Sequence, residues 1–267
     1  MGRKKYQLDI ALRFWGLTHV AKKIGGVTPF RQIFGLIVSE KALKASFIPV
    51  DEDIEIPPGV VAPGQIVRDY ITRASHRTIV HECPCRSGEG CENAPRDLGC
   101  MILGDGALEV DPSVGYQATV EQGLAHLDRA LEAGLLPMIG HLRVDKVVFG
   151  VRRFERMLTL CFCCRCCCIT RSGMRNLVSA YPDALVRLEG VRVAVTGDCA
   201  GCGECVPGCP VQNVSIVDGV ARIGEMCLGC GTCVATCTSG SIEMTIEPGS
   251  SMVEDLRRRV EAGVDIE

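Results

Sequence analysis

The sequence predicts an α+β protein, with a mixed α/β, cysteine-rich domain towards the N-terminus and a small β-rich domain towards the C-terminus. Helical periodicity alternates with short strand-like runs, 18 of the 267 residues are cysteine, and one cysteine pattern occurs twice. The expected division is a basic amphipathic helical arm (1–58), a cysteine-rich domain (59–189), a domain with the repeated pattern (190–248) and a C-terminal helix (249–267).

The N-terminal arm is basic and amphipathic. Residues 1–50 contain nine Lys/Arg and two Asp/Glu, a balance of +7. Leu8, Leu12 and Trp15 share one face of a predicted helix, and Thr28 is placed to cap a second helix. These apolar faces either cover the middle domain or contact an acidic partner or an anionic membrane surface. Nucleic-acid binding is not expected, because the net charge is −3 and no recognised nucleic-acid module accompanies the arm.

Helices and strands are expected to alternate through the middle domain. An amphipathic helix is predicted from 63 to about 75, followed by a strand in the run TIVHE at 78–82. Thr119 and Gln122 form a capping-box pattern before another helix, which Gly134 is suited to end. Two further strands are predicted after that helix, at 143–151 and 157–162.

The C-terminal part contains two copies of one cysteine pattern, 28 residues apart. The cysteines are Cys199, Cys202, Cys205 and Cys209 in the first copy and Cys227, Cys230, Cys233 and Cys237 in the second. Strand-like runs surround them at 191–195, 213–217, 220–223 and 241–246. Asp218 and Gly219 predict a hairpin turn, and Ser251 with Glu254 predicts a capping box for a final helix at about 252–261.

The repeated pattern is C-x2-C-x2-C-x3-C, the cysteine spacing of bacterial ferredoxins. Closely spaced thiolates on a tight loop can bind three corners of a [4Fe–4S] cluster, whereas the fourth cysteine reaches another cluster. Glycines let the loop backbone adopt unusual dihedral angles and let N–H groups approach the cluster. The loop glycines are Gly201, Gly203, Gly229 and Gly231. A zinc module is the alternative, since zinc also binds C-x2-C pairs, but the duplicated pattern favours iron–sulfur clusters.

The resemblance to two-cluster ferredoxins implies a ferredoxin-like dicluster domain of pseudo-twofold βαβ arrangement at 190–248, with two ligand sets. Cluster one takes Cys199, Cys202, Cys205 and Cys237, and cluster two takes Cys209, Cys227, Cys230 and Cys233. The chain departs from the family pattern at Thr238, where a proline usually follows the last cysteine. That proline shapes a turn and binds no iron, so the implied ligand sets are unaffected.

The other ten cysteines form two groups of unfamiliar spacing. The first group is Cys83, Cys85, Cys91 and Cys100, and the second is the run CFCCRCCC at 161–168. If the run is a strand, its cysteines alternate between two faces. Several could be buried small hydrophobic residues, but their density favours a further cluster where the two groups meet. The expected ligands of this third centre are Cys83, Cys85, Cys161, Cys163, Cys164, Cys166 and Cys167.

Two wider resemblances concern function. Adjacent cysteine pairs resemble the cysteine-rich subunit of heterodisulfide reductases, which binds non-cubane clusters, although the spacing here differs. Over residues 63–246 the chain resembles a family of uncharacterised dicluster ferredoxin-like iron–sulfur proteins of anaerobes. The matching stretches are HECPCR, DLGCMILGDG, VEQGLAHLDRALEAGL, CFCCRCCC and the two ferredoxin motifs. The resemblance implies electron transfer in anaerobic metabolism with a redox protein as partner.

Charged and histidine side chains near the cysteines have two interpretations each. His81 could bind metal, but a histidine in a strand or loop more often satisfies a backbone group. Arg86 and Arg165 either offset the charge of thiolates or stay in solvent at the surface.

The remaining signals concern location and reaction class. There is no export signal and no apolar run near the roughly 20 residues of a membrane span, which predicts a cytoplasmic protein with reduced thiols. No nucleotide-binding or hydrolase motif is present, and no catalytic residue can be named. The expected function is electron transfer through two [4Fe–4S] clusters, with a possible third centre. The alternatives are an enzyme or subunit that reduces a disulfide or small substrate at a CFCCRCCC-bound cluster, and a scaffold or sensor with structural clusters.

Overall fold

The computed structural model describes residues 2–14, 16, 43–49, 63–171 and 187–267. Trp15, the helix predicted to begin after Thr28 and the acidic stretch that follows lie outside these residues. The described part contains both helices and antiparallel sheets, as expected for the α+β class.

A six-stranded sheet forms the centre of the molecule, and every pair of neighbouring strands is antiparallel. Its strands are β1 (Leu43–Phe47), β2 (Arg77–Val80), β3 (Met101–Leu103), β4 (Gly115–Gln117), β5 (Leu136–Leu142) and β6 (Leu158–Cys163). Their order across the sheet is β1-β5-β6-β3-β2-β4. Strand β1 comes from a segment expected to belong to the helical arm, and it joins the sheet by pairing with β5.

Five helices lie before or among these strands in the described residues. They are α1 (Lys5–Arg13), α2 (Pro63–Arg73), α3 (Pro84–Glu89), α4 (Val120–Glu132) and α5 (Arg143–Phe149). Short 3-10 turns occur at Asp105–Glu109 and Phe154–Arg156. The predicted start of α4 is confirmed, because the Thr119 hydroxyl accepts from the Gln122 N–H at 3.2 Å and the Gln122 side chain accepts from the Thr119 N–H at 2.9 Å. Gly134 follows the helix with φ of 67°.

Helix α1 packs on the middle of the protein. The Arg3 N–H donates to the Phe149 carbonyl at 3.1 Å, and the Lys5 N–H donates to the Ser113 hydroxyl at 2.9 Å. Leu8 packs against the buried cluster that contains Phe149. The described part of the arm therefore covers the cysteine-rich domain, which was one of its two expected roles.

The strand predicted at 143–151 is wrong. Residues Arg143–Phe149 form helix α5, and Gly150 ends it in the left-handed conformation with φ of 69°. The preceding segment, β5, is more deeply buried and pairs with β1 on one side and β6 on the other. The local apolar pattern could not distinguish the two segments, because the choice depends on which one finds partner strands. The strand predicted at 157–162 is confirmed as β6.

The C-terminal third contains two two-stranded antiparallel sheets, as the strand-like runs predicted. Strand β7 (Val191–Val195) pairs with β10 (Ile242–Ile246), and β8 (Val214–Val217) pairs with β9 (Val220–Ile223). Asp218 and Gly219 join β8 to β9 with φ of 51° and 77°, which confirms the hairpin. Its helices are α6 (Cys205–Gly208), α7 (Thr232–Thr236) and α8 (Met252–Glu261).

The capping box predicted for the last helix is wrong. Ser251 has φ of −92° and ψ of 21°, which is not the extended conformation of a side-chain cap, and it makes no capping hydrogen bond. Its hydroxyl instead donates to the Asp255 carboxylate at 2.8 Å.

The C-terminal third shares its core with the central sheet. Val191, Met244 and Ile246 belong to the same buried cluster as Leu158 and Leu160 of β6. Helix α8 adds Met252, Val253 and Leu256 to this cluster. The cysteine motifs are thus held directly against the sheet. In the part of the chain that the structure describes, no helix is long and apolar enough to cross a membrane.

Candidate metal centres

Two cavities in the C-terminal third are each lined by four cysteines. One is lined by Cys199, Cys202, Cys205 and Cys237, and the other by Cys209, Cys227, Cys230 and Cys233. Each cavity therefore collects three cysteines from one copy of the motif and the fourth from the other copy. These are the two groupings that the ferredoxin resemblance implies.

The short helices carry the chain from one cavity to the other. Cys205 lines the first cavity and begins α6, and Cys209 follows the end of α6 in the second cavity. In the same way Cys233 lies in α7, and Cys237 follows the end of α7. The third cysteine lies in the helical turn, whereas the fourth follows it with extended backbone, so the two side chains line different cavities.

The cysteine loops have the backbone conformation that requires glycine. Gly201, Gly203, Gly229 and Gly231 have φ of 63°, 79°, 70° and 70°. The predicted need for unusual dihedral angles is therefore confirmed. A Cβ atom on Gly201 would also clash with the Gly219 carbonyl oxygen of the hairpin turn. The loop is close to the hairpin at this point, and no larger residue fits.

Polar hydrogens already point at several of these sulfurs. The Ala221 N–H donates to Cys199 Sγ at 3.4 Å, and the Asn213 N–H donates to Cys209 Sγ at 3.2 Å. Donors aimed at sulfur stabilise the thiolate and tune a bound metal centre.

Burial acts in the opposite direction on the free thiols. It raises the pKa of Cys233 to about 12 and also raises the pKa of Cys227. These thiols are protonated at neutral pH when no metal is bound, so binding must release protons. The second cavity is therefore lined in part by buried thiols that must ionise before they can bind a metal.

A third cavity lies between α3, α5 and the end of β6. Seven cysteines line it: Cys83, Cys85, Cys100, Cys161, Cys163, Cys164 and Cys168. The sulfurs of Cys100 and Cys161 are 3.7 Å apart, and those of Cys163 and Cys168 are 3.2 Å apart. The two unfamiliar cysteine groups therefore meet in space, as expected.

Local structure explains how some of these thiols converge. Cys83 precedes α3 as its N-cap residue, and Pro84 occupies the first helical position, where its missing N–H has no cost. Cys161 and Cys163 are two residues apart in β6, so both side chains lie on one face of the sheet. The expected alternation ends there, because the strand ends at Cys163 and the following cysteines lie in a turn.

Arg86 is buried between the thiols and leaves 1% of its surface exposed. Its guanidinium donates to the Phe162 carbonyl at 2.8 Å and to the Leu98 carbonyl. Burial lowers its pKa, but electrostatic interactions with the thiols of Cys83, Cys100 and Cys164 more than offset this effect and raise it. Of the two interpretations of this residue, the structure supports charge compensation, whereas Arg165 is exposed.

Cys83 is the thiol most readily ionised in this cavity. Hydrogen bonds from Cys100 and Cys85 lower its pKa far below the usual value for a thiol. Asp145 of α5 also lines the cavity, and burial raises its pKa to about 7. The cavity thus combines thiols whose pKa values are shifted in both directions by their neighbours with one carboxyl group.

A fourth group of cysteines is much more compact. The sulfurs of Cys91, Cys164, Cys166 and Cys167 all lie within 4.8 Å of one another. Cys164 borders both this group and the third cavity. The ligands expected for the third centre included cysteines of both the third cavity and the compact group. They did not include Cys91, Cys100 or Cys168. The only sequence signal that these three cysteines are ligands was that each lies in a cysteine-rich segment.

The described histidines near the cysteines bond to backbone. His81 Nε2 lies 3.2 Å from the Pro112 carbonyl oxygen, and His126 Nε2 lies 2.8 Å from that of Gly99. The backbone interpretation of His81 is therefore confirmed.

Comparisons of the chain with family models, with curated proteins and with solved structures found no match.

Proposed function

We propose that this protein transfers electrons through two [4Fe–4S] clusters and a further iron–sulfur centre in the third cavity. The ligand sets are those that line the two C-terminal cavities: Cys199, Cys202, Cys205 and Cys237 for cluster one, and Cys209, Cys227, Cys230 and Cys233 for cluster two.

The observation that carries the proposal is the crossing of the fourth cysteine between the two cavities. Four thiolates per cavity match the requirement of a cubane, and exchange of the last ligand is what the bacterial ferredoxin spacing produces. Glycine loops and N–H groups directed at sulfur support the same conclusion. When bound, the clusters would supply one-electron redox chemistry, and the chain would hold them in place and set their potentials by burial and hydrogen bonding.

The exposure of the ligands suggests where electrons enter. Cys202 of set one is exposed, whereas the cysteines of set two are buried or half-buried. A redox protein partner would therefore approach cluster one. The cytoplasm is the proposed location, since all three centres need reduced thiols.

One residue connects cluster two to the third cavity. The Arg171 N–H donates to Cys168 Sγ at 3.5 Å, and its guanidinium donates to the Gly208 carbonyl, next to Cys209. This contact supports a position of the third centre next to cluster two. The proposed sequence of transfer is partner, cluster one, cluster two and third centre.

The test is a count of iron and acid-labile sulfide in protein purified without oxygen. Two cubanes contain about eight irons and eight sulfides, and the third centre adds to both. Cys202→Ser should lose the iron and sulfide of cluster one and retain those of cluster two, and Cys227→Ser should do the reverse. Each variant is therefore the control for the other.

Reduction by dithionite should then produce the magnetic resonance signal of reduced cubanes in the wild type. A wild-type protein without sulfide would reject the proposal. A Cys202→Ser variant that keeps the full complement of iron would reject the ligand set of cluster one.

A second function is favoured by the third cavity itself. Cys164 also belongs to the compact group of four cysteines. Without it, the third cavity still offers six cysteines, two more than a cubane needs, together with the Asp145 carboxyl group. Such a site suits an enzyme, or a subunit of one, that reduces a disulfide or another small substrate. Turnover of a disulfide by the reduced protein, lost in Cys163→Ser and retained in Cys166→Ser, would favour this function over simple electron transfer.

A further inference from the structure

The four compact cysteines have a geometry that separates them from the other cysteine groups. Cys91 Sγ lies 3.6 Å from Cys166 Sγ, and Cys166 Sγ lies 3.4 Å from Cys167 Sγ. All four sulfurs, with that of Cys164, fit within 4.8 Å of one another. Among the described residues, no other group of three or more cysteine, histidine or acidic side chains is as close.

These distances indicate how many metal ions the group can hold. Four sulfurs at about 2.3 Å from one tetrahedral ion are about 3.8 Å from one another. A cubane places four irons and four sulfides between its thiolates, so its ligands must stand farther apart. The sulfurs of the compact group are too close together for that, whereas the four cysteine sulfurs of each C-terminal cavity do not all lie within 4.8 Å of one another.

The chain builds this group from two segments that are distant in sequence. Helix α3 ends at Glu89, and Gly90 turns the chain with φ of 64° so that Cys91 follows immediately. The Cys91 N–H donates to the Arg86 carbonyl at 2.9 Å, which holds the residue in place. On the other side β6 ends at Cys163, and the Cys167 N–H donates to Cys164 Sγ at 3.2 Å.

We propose that Cys91, Cys164, Cys166 and Cys167 bind a single tetrahedral zinc or iron ion. Four thiolates fill every position around such an ion and leave none for a substrate, which is typical of a structural site. The buried guanidinium of Arg86 offsets part of the negative charge of the thiolates. The ion would tie the turn after β6 to the end of α3. Helix α3 with its N-cap residue, and β6 with the turn after it, also supply six of the seven cysteines of the third cavity.

This proposal does not depend on the electron-transfer function. It requires one metal ion without sulfide, whereas the proposed clusters require iron and sulfide together. Metal and sulfide counts on the same anaerobically purified full-length chain therefore test the two proposals separately.

The variant for the test is Cys166→Ser, because Cys166 is exposed and its substitution leaves no cavity in the core. We expect the wild type to contain about one zinc, or about one iron in excess of the sulfide-bound iron, per chain. Cys166→Ser should lose this ion and keep all its sulfide. Cys202→Ser is the matched control at another exposed cysteine, and it should lose iron and sulfide but keep the single ion.

X-ray absorption on the wild type provides a second measurement that does not depend on the folding of any variant. For a zinc-loaded site, the zinc edge should show four sulfurs at about 2.3 Å and no neighbouring metal. An iron-loaded site should give the high-spin magnetic resonance signal of one oxidised iron bound by four thiolates.

The proposal is overturned if Cys166→Ser loses sulfide along with its metal, since that result assigns the group to a cluster. It is also overturned if the wild type contains neither zinc nor sulfide-free iron. Loss of the ion from Cys166→Ser in a protein that contains no sulfide would support this site and reject the proposed function.

Discussion

Arg86 brings a positive charge into the interior between two groups of cysteines. The carbonyls of Phe162 and Leu98 accept its hydrogen bonds, and the thiols of Cys83, Cys100 and Cys164 surround it. A fully buried arginine is tolerated only when its charge and its donors have partners. Here Nη1 and Nη2 donate to carbonyls on the two cysteine segments, whereas Nε makes no hydrogen bond among the described residues, so this side chain helps to hold the segments together through its two outer nitrogens.

Replacing Arg86 should therefore be costly. Arg86→Met removes the buried charge and leaves two buried carbonyl groups without their donor, and we expect a loss of about 3–5 kcal/mol in the free energy of unfolding. Urea unfolding without oxygen measures this loss. Arg165→Met is the matched control, since Arg165 is exposed and its loss should change stability by less than about 0.5 kcal/mol. Equal effects of the two substitutions would contradict the role assigned to Arg86.

Gly201 is needed for both its conformation and the space beside it. Gly201→Ala places a Cβ at φ of 63° and against the Gly219 carbonyl oxygen. Gly197→Ala provides the control, because Gly197 has φ of 59° and no atom within 4 Å of a new Cβ. Gly197→Ala should cost about 1–2 kcal/mol, the penalty of the left-handed conformation alone. Gly201→Ala should cost more and should lower the iron content, since the clash displaces the loop that carries Cys199 and Cys202.

At the scale of the element, short-range signals predicted a helix start correctly where the N-cap residue has the extended backbone that a capping box requires. The pattern at Thr119 and Gln122 produced a reciprocal capping box, whereas the similar pattern at Ser251 did not. The difference arises from the backbone of the N-cap residue, which is extended at Thr119 and not at Ser251. Sequence alone does not fix that angle, because the packing of α8 on the core sets it.

The two caps should differ in energy. Thr119→Ala removes a hydroxyl that accepts a backbone N–H and should destabilise the protein by about 1 kcal/mol. Ser251→Ala removes only an exposed contact with Asp255 and should cost less than about 0.5 kcal/mol. Thermal unfolding of both variants beside the wild type measures the difference. A larger effect at Ser251 would show that its side chain caps the helix after all.

At the scale of the whole molecule, the C-terminal helix belongs to the main core. Met252, Val253 and Leu256 are buried with residues of α2 and β6, and the Ser75 N–H donates to the Ile266 carbonyl at 2.7 Å. The chain thus returns from the cysteine motifs to its first half. The cysteine groups throughout the described chain consequently share one framework.

Leu256 tests this arrangement. Leu256→Ala creates a cavity in the shared core and should lower the free energy of unfolding by about 2–5 kcal/mol. Leu108→Ala is the control with the same chemical change. Because Leu108 is 48% exposed, this substitution should lower the free energy of unfolding far less. If the C-terminal third were independent, Leu256→Ala would leave hydrogen exchange in β6 unchanged. We expect faster exchange there.

Local signals were sufficient for several of the elements and for the repeated cysteine pattern. The α4 cap, the turn at Asp218 and Gly219 and the glycine loops depend on residues a few positions apart, so their physical causes are visible in the sequence. The segment at Arg143–Phe149 was predicted wrongly because strand formation depends on available partners rather than on the segment itself.

Only the tertiary structure decided how the 18 cysteines divide among the sites. Cys91 and Cys166 are 75 positions apart, and their sulfurs meet only because α3 packs against the end of β6. The spacing of CFCCRCCC could not show that one part of the run faces a cavity while the other joins Cys91. The number of metal ions at a site follows from the distances between sulfurs, and those distances are set by packing between segments that the sequence does not place side by side.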